Sequence, residues 1–388
     1  MYKVLFVIDT LEIGGTEQSL LENAALFHQF VPVICHLYPG ETLRPKFTEK
    51  GIRVIAAGVQ KKYGFITAYK RLSSIIVKER PDLLVAYLTR SELVTRMVGR
   101  MKNIPVVGTL VSDLYSPEYN LALSRRAKAG VGLFRLLNRL TARCCSGFIA
   151  NSSAVASQGI RHLHIAPEKV QVIHRGRDSN RFVYREHDEQ ANQTIRFLNI
   201  GRLVPLKGQK DLIMAFGVFL KHFPDAVLHI AGEGPFRQEL VATINLLQLQ
   251  NKVVLLGARA DVPELVHQYD CCVFPSRSEG FSGSVVEAMF SGLPVLASDI
   301  PANAEIISHM HTGFLFKAGS LDDILQALLW FARNRQQAAI MAHKAYRHAL
   351  QHFDLSATAA QMENYLQTII TRHRDYPTPG TKTAVAGR

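Results

Sequence analysis

The chain has 388 residues, 47% of them hydrophobic and 20% charged, the profile of a water-soluble globular protein long enough for two domains. No run approaches the roughly 18 consecutive apolar residues of a membrane-spanning helix, and five cysteines without C-x-x-C spacing exclude a disulfide framework, so a reducing cytoplasm is the expected home. The net charge of +13 is uneven: residues 1–185 hold 27 Lys and Arg against 13 Asp and Glu, and the remainder 18 against 19. Such an excess points to an anionic partner of the first half (a membrane surface, a phosphorylated lipid or nucleic acid) or to a merely solubilising surface.

Residues 2–9 are an apolar run too short for a secretory core and lacking a small-residue cleavage site, so they read as a first strand. Gly14-Gly15 then makes a turn that presents helix-start amides, ahead of a helix over 16–27 capped by Thr16. Short apolar runs at 31–37, 53–56, 83–87, 106–110 and 148–150 alternate with helical stretches, which predicts a parallel sheet wrapped by helices. Between the last two runs, 124–143 interleaves Arg125, Arg126, Lys128, Arg135, Arg139 and Arg143 with leucines. At helical spacing Arg135, Arg139 and Arg143 follow i, i+4, i+8. This predicts a basic amphipathic helix, suited to anionic lipid or packed on the core with a solvated basic face. The basic residues lack an aromatic-interleaved strand platform, so no nucleic-acid partner is expected.

A polar stretch near residue 190 separates a second series of runs at 195–200, 226–231, 252–256, 271–275 and 294–297. Gly201-Arg202-Leu203-Val204-Pro205-Leu206-Lys207-Gly208 follows the first of them, so Arg202 and Lys207 emerge at a strand end where a diphosphate can lie. The run 271–275 ends in Pro, and helical patterning resumes at 284–290. Glu279 therefore sits in a loop at the carboxyl edge of the sheet, where ligands of open α/β sheets bind. Gly280 and Gly283 allow close approach of the backbone, and the amides of Ser282, Gly283 and Ser284 suit an anion. Glu287 can accept a hydrogen bond from a ribose, but Ser284-x-x-Glu287 also matches a capping box that would use it up on the backbone. Residues 321–371 read as helical with Trp330 and Phe331 on an apolar face, and the final residues, without apolar periodicity, read as disordered.

The string from Ser278 to Met289, continued by Gly292-Leu293-Pro294-Val295, resembles the E-x7-E signature of the retaining glycosyltransferases of the GT-B fold, glycosyltransferase family 4, with Glu279 and Glu287 as its glutamates. The resemblance implies two Rossmann-like lobes with parallel sheets facing across a cleft: an acceptor-side lobe at 1–186, a nucleotide-sugar lobe at 187–350, a helix at 351–371 that crosses back to the first lobe, and a tail at 372–388. It implies that Glu279 contacts the donor sugar and Glu287 the ribose, with Gly280 and Phe281 in the same loop. Arg202 and Lys207 would neutralise the diphosphate with no metal or other cofactor, Gly15 would approach the donor from the other lobe, and Arg259 would line the base pocket. Many relatives carry a His after the strand matching 106–110. Here the chain reads Val111-Ser112-Asp113, so Ser112 or Asp113 takes that place or the sugar is held differently. With Gly14 and Arg175, which stands where relatives often show P-N-G-V-D, these form the expected acceptor side.

The expected activity is retaining transfer from a nucleoside-diphosphate-sugar to a hydroxyl of a lipid-linked or polysaccharide intermediate of the cell envelope. The chain would be cytoplasmic and at most peripheral on the inner membrane face. The alternatives are a nucleotide-sugar epimerase on the same scaffold and a non-catalytic relative that binds nucleotide or membrane.

Overall fold

The computed structural model describes residues 1–112, 125–186 and 194–375, and for 125–129 the backbone only. The first lobe runs β1 (Tyr2–Ile8), α1 (Gly15–Ala24), β2 (Phe30–His36), α2 (Arg44–Glu49), β3 (Arg53–Ala56), α3 (Phe65–Glu79), β4 (Leu83–Ala86), α4 (Thr89–Lys102), β5 (Val106–Leu110), α5 (Arg125–Ala142), β6 (Gly147–Ala150), α6 (Ser153–Leu163) and β7 (Val170–Val172). The second continues with β8 (Arg196–Ile200), α7 (Gln209–Phe219), β9 (Val227–Ala231), α8 (Arg237–Leu246), β10 (Val253–Gly257), α9 (Val262–Leu265), β11 (Cys271–Phe274), α10 (Gly283–Phe290), β12 (Val295–Asp299), α11 (Pro301–Ala304), β13 (Phe314–Lys317), α12 (Leu321–Arg333) and α13 (Arg335–Phe353), and α14 (Leu355–Asp375) closes the chain.

Central strands such as β1, β4, β5 and β11 are apolar on both faces because helices cover both sides of the sheets. The first sheet has the order β3-β2-β1-β4-β5-β6-β7 and the second β10-β9-β8-β11-β12-β13, with every pairing parallel. In each, chain direction across the sheet reverses once, between β1 and β4 and between β8 and β11. Those two switch points are the crevices of the fold.

The two lobes and their parallel sheets agree with the sequence reading, and four details differ. β7 and β13 are additional strands. Helix α1 starts at Gly15 with extended Gly14 as its N-cap, so Thr16 is inside the helix and caps nothing. The stretch 321–371 is three helices, broken at Asn334 and Asp354. The return to the first lobe begins at Leu355, because Ala345, Ala349 and Phe353 of α13 pack in the second lobe while Met362, Leu366, Ile369 and Ile370 of α14 pack on the first-lobe core. Trp330 is partly buried against Phe314, and Phe331 lies in the core beside Phe197. Residues 376–388 and Asp113 lie outside the described residues. Among the described residues, no helix is long and apolar enough to cross a membrane.

Helix α14 is tied to the first lobe by polar as well as apolar contacts. The Tyr365 hydroxyl accepts from Phe148 N at 3.1 Å and donates to Lys169 O at 3.1 Å. Leu366 is fully buried among Phe6, Val85 and Ile149. Leu366→Ala should therefore lower unfolding free energy by about 2–5 kcal/mol, read by urea denaturation. An unchanged midpoint would show that α14 is not integral to the first lobe.

Candidate functional site

The loops after β8 and β11 meet at the second-lobe switch point. Gly208 has φ +68°, and a Cβ there would stand 2.1 Å from Pro275 O, so only glycine lets the two loops close on each other. The contact sets Lys207 Nζ directly against Glu279 Oε1, which also accepts from Ser276 Oγ at 2.8 Å. Glu279 is 13% exposed and Lys207 28%, enough for each to meet a ligand. Arg202 is exposed at the same edge and has no carboxylate partner among the described residues.

Opposite this pair, a cavity of about 230 Å³ is walled by Gly15, His174 and Arg175 of the first lobe and Glu279, Gly280 and Phe281 of the second. The lobes touch here: Ser152 Oγ donates to Gly280 O at 2.7 Å, and a Cβ on Gly280 would lie 2.6 Å from Val111 O and 3.2 Å from Ser112 Cα. The Arg175 guanidinium faces Gly15. Burial and the neighbouring Arg177 charge bring its pKa down to about 9 against the pull of Glu22, Glu287 and Glu17. Its Nε is buried and has no hydrogen-bond partner. Phe281 is buried, its ring packed on His174 and Phe353 at 5.8 and 5.7 Å.

Glu287 does not close a capping box. Helix α10 takes Ser282 as its N-cap without a side-chain cap bond, and Ser282 Oγ is turned to Asn303 Oδ1. Glu287 Oε1 accepts instead from Arg177 Nε at 2.7 Å, and Arg177 NH1 lies 3.8 Å from Glu22 of α1. Gly283 abuts this guanidinium, and its amide is bonded to Phe281 O. Of the three helix-start amides expected to meet an anion, that one is therefore already used. Ser284 sits within the first turn of α10.

Other expected residues fall away from this centre. Arg259 is held at the surface in a fork with Asp261, apart from the residues walling the cavity. Gly14 precedes α1 beside the Glu17 carboxylate. Ser112 lines a second cavity, of about 400 Å³, at the first-lobe switch point; its walls include Tyr63, Phe134, Asp9 and Glu92 and share Thr109 and Val111 with the first cavity. Asp9 accepts from Ser91 N and Oγ at 2.9 and 2.6 Å and from Arg90 Nε at 2.9 Å. Glu92 accepts from Thr109 N at 3.1 Å and pairs with Arg96, and burial raises its pKa.

The sequence reading did not find the contact of Glu305 with the first lobe. From the end of α11 it accepts from Ser153 N and Oγ at the start of α6, each at 2.8 Å, and from His174 Nε2 at 2.6 Å. Burial alone would raise its pKa, but the bonds from His174 and Ser153 outweigh burial and hold it at about 2. His174, the neighbour of Arg175 in the sequence, is the histidine that walls the cavity in a chain lacking one after β5.

Two outcomes follow. Gly280→Ala should hold the lobes apart, since Val111 O is backbone and cannot turn aside, and small-angle scattering should read a larger radius of gyration. An unchanged radius would overturn the contact. Because the folded pKa of Glu305 lies below its ordinary 4.5, its contribution to stability is complete above that value and is lost as pH falls toward about 2. Glu305→Gln should thus be less stable than the parent at neutral pH, and the difference should shrink in acid. A pH-independent gap in denaturation midpoints would contradict the pairing.

Comparison with known proteins agrees with this geometry. Residues 13–181 match the family described as Glycosyltransferase Family 4, and residues 180–348 match Glycosyl transferases group 1. The chain is 25% identical over 270 residues to the Escherichia coli UDP-Gal:alpha-D-GlcNAc-diphosphoundecaprenol alpha-1,3-galactosyltransferase, spanning 66% of this chain and 68% of that protein. It is 24% identical over 332 residues to the D-inositol 3-phosphate glycosyltransferase of Thermobispora bispora, spanning 81% and 77%. An uncharacterized glycosyltransferase of Methanocaldococcus jannaschii matches at 36% over 121 residues, only 30% of its length. Solved structures of Anabaena HepE with UDP and with UDP-glucose superpose with a TM-score of 0.81 each, at 24% and 23% identity, over 94% and 95% of this chain and 100% of theirs. The two facing lobes form a GT-B fold, and with both halves matched in succession the chain belongs to glycosyltransferase family 4, the group 1 glycosyltransferases.

Proposed function

We propose that this glycosyltransferase moves a sugar from a nucleoside-diphosphate-sugar, with uridine as the first base to test, to a hydroxyl acceptor with retention of anomeric configuration. The observation that carries the reading is the Lys207–Glu279 pair at the second-lobe switch point, facing Gly15 and Arg175 across the cleft. Without donor the two side chains satisfy each other. A donor would separate them, its diphosphate taking Lys207 and its sugar hydroxyls taking Glu279. Complexes of the fold neighbour HepE with UDP and UDP-glucose support a uridine nucleotide.

Cleavage of the bond between the anomeric carbon and the diphosphate oxygen leaves negative charge on the leaving group. Lys207 and Arg202 would stabilise that charge, which is the basis for proposing transfer without a metal. The acceptor oxygen would attack from the face the diphosphate leaves, its proton passing to a phosphate oxygen. Glu287, with one oxygen on Arg177, has its other oxygen for a ribose hydroxyl. The acceptor would occupy the second cavity, whose Tyr63 and Phe134 rings, 6.1 Å apart, suit a sugar face or a lipid-linked glycan. The protein would then work at the cytoplasmic membrane face.

Glu279→Gln and Lys207→Ala should each lower kcat about 100-fold or more, assayed with a panel of UDP- and GDP-sugars. Glu279→Gln should keep thermal stabilisation by UDP, and Lys207→Ala should lose most of it. Full turnover in both variants would sink the assignment, and an inverted anomer in the product NMR spectrum would sink retention.

A further inference from the structure

His174 is a titratable group of the cleft that the proposed reaction does not use. It follows β7 of the first lobe, lines the cavity of about 230 Å³ together with Glu279, Gly280 and Phe281, and keeps 29% of its side chain exposed. Its neighbours come from the other lobe. Nε2 lies 2.6 Å from Glu305 Oε1, and the ring packs on Phe281 at 5.8 Å and edge-on to Phe353 at 5.3 Å. Phe281 and Phe353 both belong to the second-lobe core. A first-lobe imidazole is therefore oriented by second-lobe residues, and it has this orientation only while the lobes are together.

The pairing decides what each ring nitrogen can do. Glu305 also accepts from Ser153 N and Oγ. Burial would raise its pKa, but the bonds from His174 and Ser153 hold it at about 2, so at neutral pH it is an ionised partner that can only accept. The hydrogen between the two is thus carried by Nε2. Nδ1 has no partner among the described residues and is not a buried atom, and in the neutral ring it is an acceptor. A residue that served only to tie Glu305 would need one donor, whereas an imidazole adds a second, uncommitted nitrogen. Glu279 and Nδ1 are then two acceptors lining one cavity. That pair suits a ligand rich in hydroxyl donors, as a sugar ring is, and does not suit a phosphate or a carboxylate.

We propose that His174 is a specificity-determining contact for the transferred sugar, its Nδ1 bonding one of the sugar hydroxyls, and that Glu305 is the positioning residue that presents it once the lobes close. The assignment rests on the transferase reading and deepens it. Recognition of the sugar is divided between Glu279 of the second lobe and His174 of the first, so an open cleft holds the nucleotide without gripping the sugar.

The test uses the full chain, the nucleotide-sugar it turns over fastest, the singly deoxygenated analogues of that donor, and the free nucleoside diphosphate. His174→Gln can set an amide N–H on Glu305 in place of Nε2 and leaves nothing at Nδ1. It should lower kcat/KM about tenfold and leave affinity for the free diphosphate within about twofold of the parent's. One deoxygenated donor should lose about tenfold with the parent and almost nothing further with His174→Gln, because the contact is already gone. Glu305→Gln should blunt the response to that same analogue. The ratio of two donors on one protein does not depend on how much of it is folded, so it stays readable if a midpoint drops. Parent-like turnover by His174→Gln, or the same loss with every deoxygenated donor in both proteins, would reduce the histidine to a tie for Glu305 and overturn the proposal. A tenfold loss of affinity for the free diphosphate would assign it to the nucleotide and overturn it too. The transferase reading fails by a different result, a parent that turns over no donor. The comparison is then made on calorimetric affinity for the nucleotide-sugar against the free diphosphate, where a sugar-dependent loss in His174→Gln supports the contact and equal affinities overturn it.

Discussion

Arg177 is the residue through which the two lobes and the returning helix are held together. Its backbone is stitched to the crossing, with its N–H donating to Phe353 O at 2.9 Å and its carbonyl accepting from Leu355 N at 3.0 Å. Its side chain, 7% exposed, reaches Glu287 on α10 and lies near Glu22 on α1. A guanidinium so buried is tolerated only when carboxylates compensate it, and here they come from opposite lobes. The position of the E-x7-E helix relative to the first lobe is thus fixed by one charge that neither lobe can satisfy alone. Burial raises the pKa of Glu22, and Arg177 and Arg175 oppose that rise, so the carboxylate depends on the arginines as they depend on it.

From that constraint follows the state of the cleft. With α10 fixed, the loop before it is pressed against Val111 and Ser112, and Ser152 and Glu305 complete the contact. The polar groups nearest the cavity are already paired, Lys207 with Glu279 and Glu287 with Arg177. Such pairing avoids unsatisfied buried charge, and under the proposed function a ligand would enter by exchanging partners. Arg202, exposed and with no carboxylate partner among the described residues, needs no exchange.

The residues legible in the sequence are those whose chemistry is local. β1 and β5 read as strands because they are buried on both faces, and Lys207-Gly208 and Glu279 read as a site because each sits in a loop directly after a strand. β7 is three residues long and too short to carry a periodicity, whereas β13 is as long as β3 and no less buried, so length does not account for it. The start of α1 was misplaced at Thr16 because glycine can cap without a side chain, leaving no residue type to mark it. The capping box at Ser284-x-x-Glu287 was a true local pattern that lost to an arginine 110 positions away. Glu305 belongs to the same class: its partners lie 131 and 152 positions off, and no spacing rule joins them. Arg259 shows the reverse, since Asp261, two residues on, was in view and competes with any base for its donors.

The first-lobe carboxylates bear on how the chemistry would run. Asp9 and Glu92 stand at the walls of the second cavity, where an attacking nucleophile or a general base would be sought. Asp9 has one oxygen on Ser91 and the other on Arg90, and Glu92 has one on the Thr109 amide and the other on Arg96. An enzyme nucleophile needs an accessible, uncommitted oxygen, and both residues instead hold the ends of β1 and β5 in place. Glu279, which lines the first cavity, is bonded to Lys207 and Ser276. Among the described residues these carboxylates are all committed, so in the proposed reaction the acceptor's proton would pass to the group the donor brings with it. In that proposed reaction a diphosphate oxygen would carry the charge assigned to Lys207 and Arg202, and it would depart from the face at which the acceptor arrives.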